Sequence, residues 1–211
     1  MEPTDADYLA QWRDGDQEAG NMLVRRHFAT VFRFFRGKIA GSVDDLTQRT
    51  FLACVEASSR FRGDGSFRAF VLGIARKVLL VHLRKQYRHE RVFDPEALSI
   101  HQALDPTGGS VTGKLVGREN ERLLLAALAR IPLDFQIAVE LFYWEEMPLK
   151  DIAEVLEIAP GTVKSRLGRA RVMLRQQIEL LAASPAIAEQ TVSGLDHWAR
   201  SLKRRYLEEE P

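Results

Sequence analysis

Cysteine is almost absent from this chain: Cys54 is the only one in 211 residues. A single thiol excludes an internal disulfide and any zinc site built from several cysteines. Its neighbours Phe51, Leu52, Ala53 and Val55 are apolar, so Cys54 reads as a small buried hydrophobe. Long apolar runs are missing as well. None approaches the ~20 residues that cross a bilayer, which argues against membrane insertion. Residues 1–16 are acidic and lack the basic-then-apolar pattern of a secretion signal, so a cytoplasmic location is expected. A dominant charge is lacking too: 30 Lys and Arg face 29 Asp and Glu, a net +1. That balance argues against a blanket polyanion binder. Finally, His27, His82, His89, His101 and His197 are scattered without metal-ligand spacing, and no glycine-rich phosphate loop is present. Asp44-Asp45 could be read as a metal-binding pair, but an acidic pair at a helix start is usually a cap. No catalytic residue, metal or cofactor is therefore assigned.

What is present is helical periodicity, interrupted once. Residues 5–13 place Tyr8, Leu9 and Trp12 on one side of a short helix. Asp16 can cap a second helix carrying Leu23, Val24, Phe28, Val31, Phe32 and Phe35. Ser42 or Asp44 can cap a third, with Leu46, Phe51 and Val55 inward. Residues 62–65 form a turn by composition, and Ser66 can cap a long helix to about Arg88. That helix has two apolar stripes, Phe67, Phe70, Val71, Ile74, Val78 and Val81 against Leu72, Leu79, Leu80 and Leu83. A helix apolar on two sides sits centrally in a bundle or meets a partner on one side; the bundle centre is the expectation. Residues 93–114 hold Pro95, Pro106, Gly108, Gly109 and Gly113 and read as a linker, with room for one helical turn at 96–101. Helices resume at about Val116, and Pro132 marks a further start, with Phe135, Val139 and Phe142 along that helix. The expected fold is all-α: two small helical domains joined by a flexible linker, the second containing a helix-turn-helix. The expected boundaries are 1–91, linker 92–116, 117–183, and an amphipathic extension 184–211. In that extension Val192, Leu195, Trp198, Leu202 and Tyr206 recur at helical steps.

Charge is distributed unevenly. Basic residues gather in 60–91 and 164–175, which suggests two local contacts with a polyanion. The second contact has a definite shape. Leu149, Ile152, Ala153 and Leu156 form the stripe of a short helix, Ile158-Ala159-Pro160-Gly161 a tight turn, and Val163, Leu167, Ala170 and Leu174 the stripe of the next helix. Pro160 suits a first helical position, where no amide hydrogen is needed. Lys164, Ser165, Gly168, Arg169 and Val172 project the other way, with Arg171 and Arg175 flanking and Arg166 at the edge. In such a pair the first helix braces across the phosphates and the second enters the major groove. Small residues such as Ser165 and Gly168 allow close approach, and Lys164, Arg169 and Arg171 can reach base acceptors or phosphates.

The two segments, residues 149–156 and 161–171, closely resemble the promoter-reading helices of the extracytoplasmic-function sigma factors. The first domain carries a second resemblance. Asp45-Leu46, Gln48 and Thr50-Phe51-Leu52 are similar to the segment with which this family grips RNA polymerase core. Residues 61–70, Ile74-Ala75-Arg76-Lys77 and His82-Leu83-Arg84 are similar to its minus-ten segment. The resemblance implies polymerase contacts at Asp44, Asp45, Gln48, Arg49 and Leu52. It implies minus-ten contacts at Arg60, Phe61, Arg62, Arg68, Arg76, Lys77, Arg84 and Arg88, where unstacked bases want aromatic pockets beside a basic track. Phe67 falls on the main apolar stripe and is expected in the core. Minus-thirty-five contacts fall to Thr162, Lys164, Ser165, Arg166, Gly168, Arg169 and Arg171. RNA polymerase core and promoter DNA are the implied partners, and an anti-sigma factor is a further one the family allows. Four residues depart from the family pattern: Arg49 for an acid, Val55 for tryptophan, Glu157 for glycine and Ala159 for serine. If position 157 needs a positive φ, glutamate costs about 1 kcal/mol there. Two rival classes are weaker. An enzyme lacks any catalytic constellation, and a stand-alone helix-turn-helix regulator has no use for the segment at 45–52.

Overall fold

The computed structural model describes residues 3–39, 41–58, 61, 65–86, 119–194 and 197. Within them the regular elements are helices. Four belong to the first domain: α1 (Asp5–Arg13), α2 (Gln17–Arg36), α3 (Val43–Ala57) and α4 (Phe67–Gln86). Five follow: α5 (Glu119–Leu128), α6 (Leu133–Tyr143), α7 (Leu149–Leu156), α8 (Pro160–Leu181) and α9 (Pro185–Ser193). The expected linker, the turn at 96–101, the turn residues 62–64 and the extension beyond Gly194, His197 excepted, lie outside the described residues.

Local chemistry sets the helix starts. Thr4 and Asp7 form a reciprocal capping box on α1. The Asp16 carboxylate accepts from the amides of Glu18 at 2.9 Å and Ala19 at 3.2 Å, so the expected cap of α2 is present. Ser42 precedes α3 in the left-handed conformation, with φ 53°, and makes no side-chain cap bond. Pro160 opens α8 and Pro185 opens α9, where Ser184 accepts from the Ile187 amide at 3.4 Å.

In the first domain α2 packs on α1, α3 and α4, and α3 packs on α4. Leu23, Val31, Phe35, Leu46, Cys54, Leu72, Leu79 and Leu83 are fully buried. Burial pushes the Cys54 thiol pKa up to about 12, which makes it a poor nucleophile. Gly20 is required by close packing: a Cβ there would lie 2.5 Å from the Trp12 indole nitrogen. Arg13 ties the end of α3 to the following loop, with Nε donating to the Ser58 carbonyl at 3.0 Å and the guanidinium also donating to the Phe61 carbonyl. In the second domain α8 is the spine, contacted by α5, α6, α7 and α9. Helix α6 is buried nearly all round.

Two expectations about faces need correction. Val55 is not inward; it is 48% exposed, on the same side of α3 as Leu52 at 65%. On α4 both stripes are split: Leu72, Leu79 and Leu83 are buried and Leu80 half-buried, while Phe67 and Val71 are buried, Phe70, Ile74 and Val78 half-buried and Val81 50% exposed. Helix α4 is central in its own bundle and also meets a partner, because its other flank packs on α7 of the second domain. The apolar core consequently runs continuously through both domains.

These placements predict stability. Leu79→Ala removes a fully buried side chain and costs about 2–5 kcal/mol in urea unfolding. Leu52→Ala, on the exposed face, stays within about 0.5 kcal/mol. Equal costs would contradict the assigned faces.

A buried histidine predicts a pH response. The His27 ring lies 2.8 Å from the Asp5 carboxylate and tethers α1 to α2. Burial holds its pKa below the ordinary value against the pull of Asp5. Asp5 is pushed up by burial, but its hydrogen bond with Arg26 and the charge of His27 outweigh this and hold it low. Both folded pKa values are depressed, so the folded state takes up protons later than the unfolded chain. Stability should be lost as pH falls through the ordinary histidine value of about 6.5 and on into the carboxylate range. The urea midpoint should therefore drop between pH 7.5 and pH 5.5, with a shallower drop in His27→Gln; an identical slope in that variant would contradict the assignment.

Candidate nucleic-acid interface

The turn between α7 and α8 has the geometry its sequence suggested. Ile152, Ala153 and Leu156 of α7 are buried together with Val163, Leu167, Ala170 and Leu174 of α8. Glu157 closes α7 at φ 57°, ψ 43°, the left-handed conformation that disfavours a side chain. Ala159 precedes α8 without a side-chain cap. On the outer face of α8, Lys164, Ser165, Gly168, Arg169, Arg171, Val172 and Arg175 are all exposed, and Thr162 is partly so. A Cβ built at Gly161 or Gly168 meets nothing within 4 Å, so neither glycine is needed for packing within the chain. The Ser165 hydroxyl donates to the Thr162 carbonyl at 2.9 Å. Arg169 lies 5.8 Å from the Phe135 ring centroid, and Arg171 Nε donates to the Tyr143 hydroxyl at 3.0 Å. Each contact steers a guanidinium along the face rather than burying it.

Arg166 does not belong to that face. It is 5% exposed, and its Nη1 donates to Asp134 Oδ2 at 3.1 Å. The helical wheel put it at the edge; α6 covers that edge with a carboxylate.

The exposed side of α3 gathers the second candidate group. Asp44, Asp45, Gln48, Arg49 and Leu52 are all exposed, while Leu46, Thr47, Thr50, Phe51 and Cys54 face the core. Arg49 Nη2 pairs with Asp45 Oδ2 at 3.0 Å, an exposed pair of small energetic value. Leu52 and Val55 are exposed beside these polar residues.

The third group is divided. Arg60, Arg62 and Arg88 lie outside the described residues. Phe61 is half-buried, 5.0 Å from the Phe70 ring and 6.0 Å from that of Phe67, and Phe67 itself is buried in the core as expected. Arg84 is exposed near the end of α4. The other three basic residues are engaged by the second domain. Arg68 donates to the Glu145 carboxylate. Arg76 is buried and grips Asp134 with Nη2 at 2.9 Å and 3.1 Å. Lys77 Nζ lies 2.7 Å from Glu157 Oε1.

Sequence reasoning missed the acidic partners, Asp134, Glu140, Glu145 and Glu157, and the two further cations they meet. Arg33 pairs with Glu145 at 3.5 Å, and Lys38, 1% exposed, pairs with Glu140 while donating to the Phe34 carbonyl at 2.7 Å. Burial pushes the Glu140 carboxyl up, the Lys38 ammonium opposes this, and Glu145 adds to it. The available signal was composition: Asp134 and Glu140 stand inside an otherwise apolar helix, where a charge must be paired.

Comparison with known proteins follows these two halves. Residues 23–89 match the model of sigma-70 region 2, and residues 121–174 match that of sigma-70 region 4. The ECF RNA polymerase sigma-E factor of Haemophilus influenzae is 27% identical over 184 residues, covering 84% of this chain and 97% of that protein. Its Escherichia coli K12 counterpart is 25% identical over 185 residues, covering 84% and 96%. Among solved structures, CnrH in complex with the cytosolic domain of CnrY shares the fold with a TM-score of 0.58 at 24% identity, covering 84% of this chain and 99% of that one. The sigma factor RpoE of Bartonella quintana, solved with the anti-sigma factor NepR, gives 0.54 at 22% identity, covering 81% and 99%. Two helical domains with regions 2 and 4 in this order define a sigma-70-type factor for transcription initiation. Within that class the relatives named above are ECF RNA polymerase sigma factors, and this chain is similar to them over 84% of its length.

The buried triad predicts a further stability effect. Asp134→Ala leaves Arg76 and Arg166 without their shared carboxylate and should cost about 3–5 kcal/mol. A urea-midpoint shift equivalent to less than about 0.5 kcal/mol would show that the triad contributes little.

Proposed function

We propose that this chain binds RNA polymerase core through the exposed side of α3 and directs it to promoters read at two places. The outer face of α8 reads the minus-thirty-five element, and the first domain captures the opened minus-ten strand with Phe61 and the basic residues around it. Lys164, Ser165, Gly168 and Arg169 standing together, solvated and unobstructed, on the second helix of a helix-turn-helix carry this reading. The working boundaries are 1–91 and 117–183 for the two domains, 92–116 for the linker and 184–211 for the extension. The chain acts as an initiation factor in the compartment of the polymerase, the cytoplasm, and not as an enzyme; an anti-sigma factor is a further partner. The polar and apolar residues exposed along α3 favour this over a regulator that binds its operator alone.

Lys164→Ala or Arg169→Ala should weaken promoter binding of the polymerase–sigma complex by about 1–3 kcal/mol without changing the helical content. In a pull-down with core polymerase, Asp45→Arg with Gln48→Ala should lose core while remaining folded. Unchanged promoter affinity in mobility shift would remove α8's face from the reading surface, and unchanged core capture would remove α3.

A further inference from the structure

Helix α6 presents three side chains to the arginines of α8. The Asp134 carboxylate holds Arg166 below the surface. The ring centroid of the next residue, Phe135, lies 5.5 Å from the Arg166 guanidinium carbon and 5.8 Å from that of Arg169. The Tyr143 hydroxyl accepts from Arg171 Nε at 3.0 Å, and its ring centroid is 5.8 Å from the same guanidinium carbon. Phe135 and Tyr143 are buried, whereas Arg169 and Arg171 are exposed. Core residues of one helix thus support surface residues of the next.

The supports are rigid. The Phe135 amide donates to the Pro132 carbonyl at 2.9 Å, and the Gln136 side-chain amide donates to the Ile131 carbonyl at 2.7 Å, which fixes the first turn of α6. Tyr143 ends the helix with its ring edge-on to that of Phe142 at 5.0 Å. An arginine on a bare helix face samples many rotamers and loses them when DNA binds; one already leaning on a fixed ring loses fewer. The two supports differ in kind. A benzene ring has no lone-pair acceptor, so its attraction for the Arg169 cation restrains the side chain and leaves the N–H fork to base acceptors. The phenolic hydroxyl fixes Arg171 through Nε at the flank of the face, where the DNA backbone runs and sequence is not read.

Resting on the promoter-reading role of α8 proposed above, we propose that Phe135 and Tyr143 are positioning residues for promoter recognition. Phe135 keeps Arg169 aimed at a base edge and so contributes to sequence discrimination. Tyr143 keeps Arg171 beside the backbone and so contributes affinity for any sequence. Neither side chain touches DNA; each acts through its arginine.

The test is a pair of double-mutant cycles on the full chain bound to core polymerase. The probe is a duplex promoter fragment from a chain-dependent start site, with its minus-thirty-five element intact or scrambled. Tyr143→Phe keeps the ring and removes only the hydroxyl. It should weaken binding of both fragments alike, about two- to tenfold, and have no further effect in an Arg171→Ala background. Phe135→Leu should lower the ratio of intact to scrambled binding about two- to tenfold and leave that ratio unchanged in an Arg169→Ala background. Phe135→Tyr, which keeps the ring, should restore the ratio. Unchanged binding in either variant would overturn the role of that residue. Losses that persist undiminished in the arginine-free backgrounds would overturn the proposal, because they report a purely structural effect. If Arg169→Ala itself leaves the ratio unchanged, the reading role of α8 fails and the positioning role falls with it.

Discussion

Asp134 is shared by the two halves of the molecule. Its carboxylate lies between Arg166 of its own domain and Arg76 of the other, all three nearly excluded from water. A charge so placed has no alternative partner in the solvent, so its position constrains α6, α8 and α4 at once. The continuous apolar core does most of the stabilising, because hydrophobic burial is proportional to area and indifferent to orientation. The triad supplies orientation: two guanidinium groups on one carboxylate admit few relative placements of the helices that carry them.

Around this joint the surfaces that face outward remain chemically distinct. The side of α3 bearing Asp45, Gln48, Arg49 and Leu52 is exposed, and so is the face of α8 bearing Lys164, Ser165, Gly168 and Arg169. On the basic track of α4, Arg68, Arg76 and Lys77 pair with carboxylates of the second domain. Two of the three candidate groups are therefore exposed, while the third is divided: Arg76 is buried on Asp134, and Lys77 and Arg84 remain exposed. That division follows from chemistry: a strongly basic track attracts carboxylates as readily as phosphates.

Much of this was legible in the sequence because periodicity reports what a helix does with its own two faces. The stripes of α7 and α8, the cap at Asp16 and the proline start of α8 depend only on neighbours within a turn or two. The outward residues of α8 followed from the same wheel. What stayed hidden depends on partners far along the chain. Arg166 looks like an edge residue until α6 is laid beside it. Arg76 sits in a basic run and carries no local sign that a carboxylate 58 residues on will bury it. Val55 was assigned inward because it is apolar, yet hydrophobicity alone does not establish burial. The two apolar sides of α4 fit either a bundle centre, which was the expectation, or a partner, and both hold, because α4 also packs on α7.

Promoter-directed initiation is the role on which the rest depends, and transcript mapping tests it most directly. Purified core polymerase is incubated with genomic template, with and without the chain, and the 5′ ends of the RNAs are mapped. The account predicts a discrete set of chain-dependent start sites sharing two short upstream elements, with Arg169→Ala lowering initiation across that set. Start sites that are the same with and without the chain would contradict it.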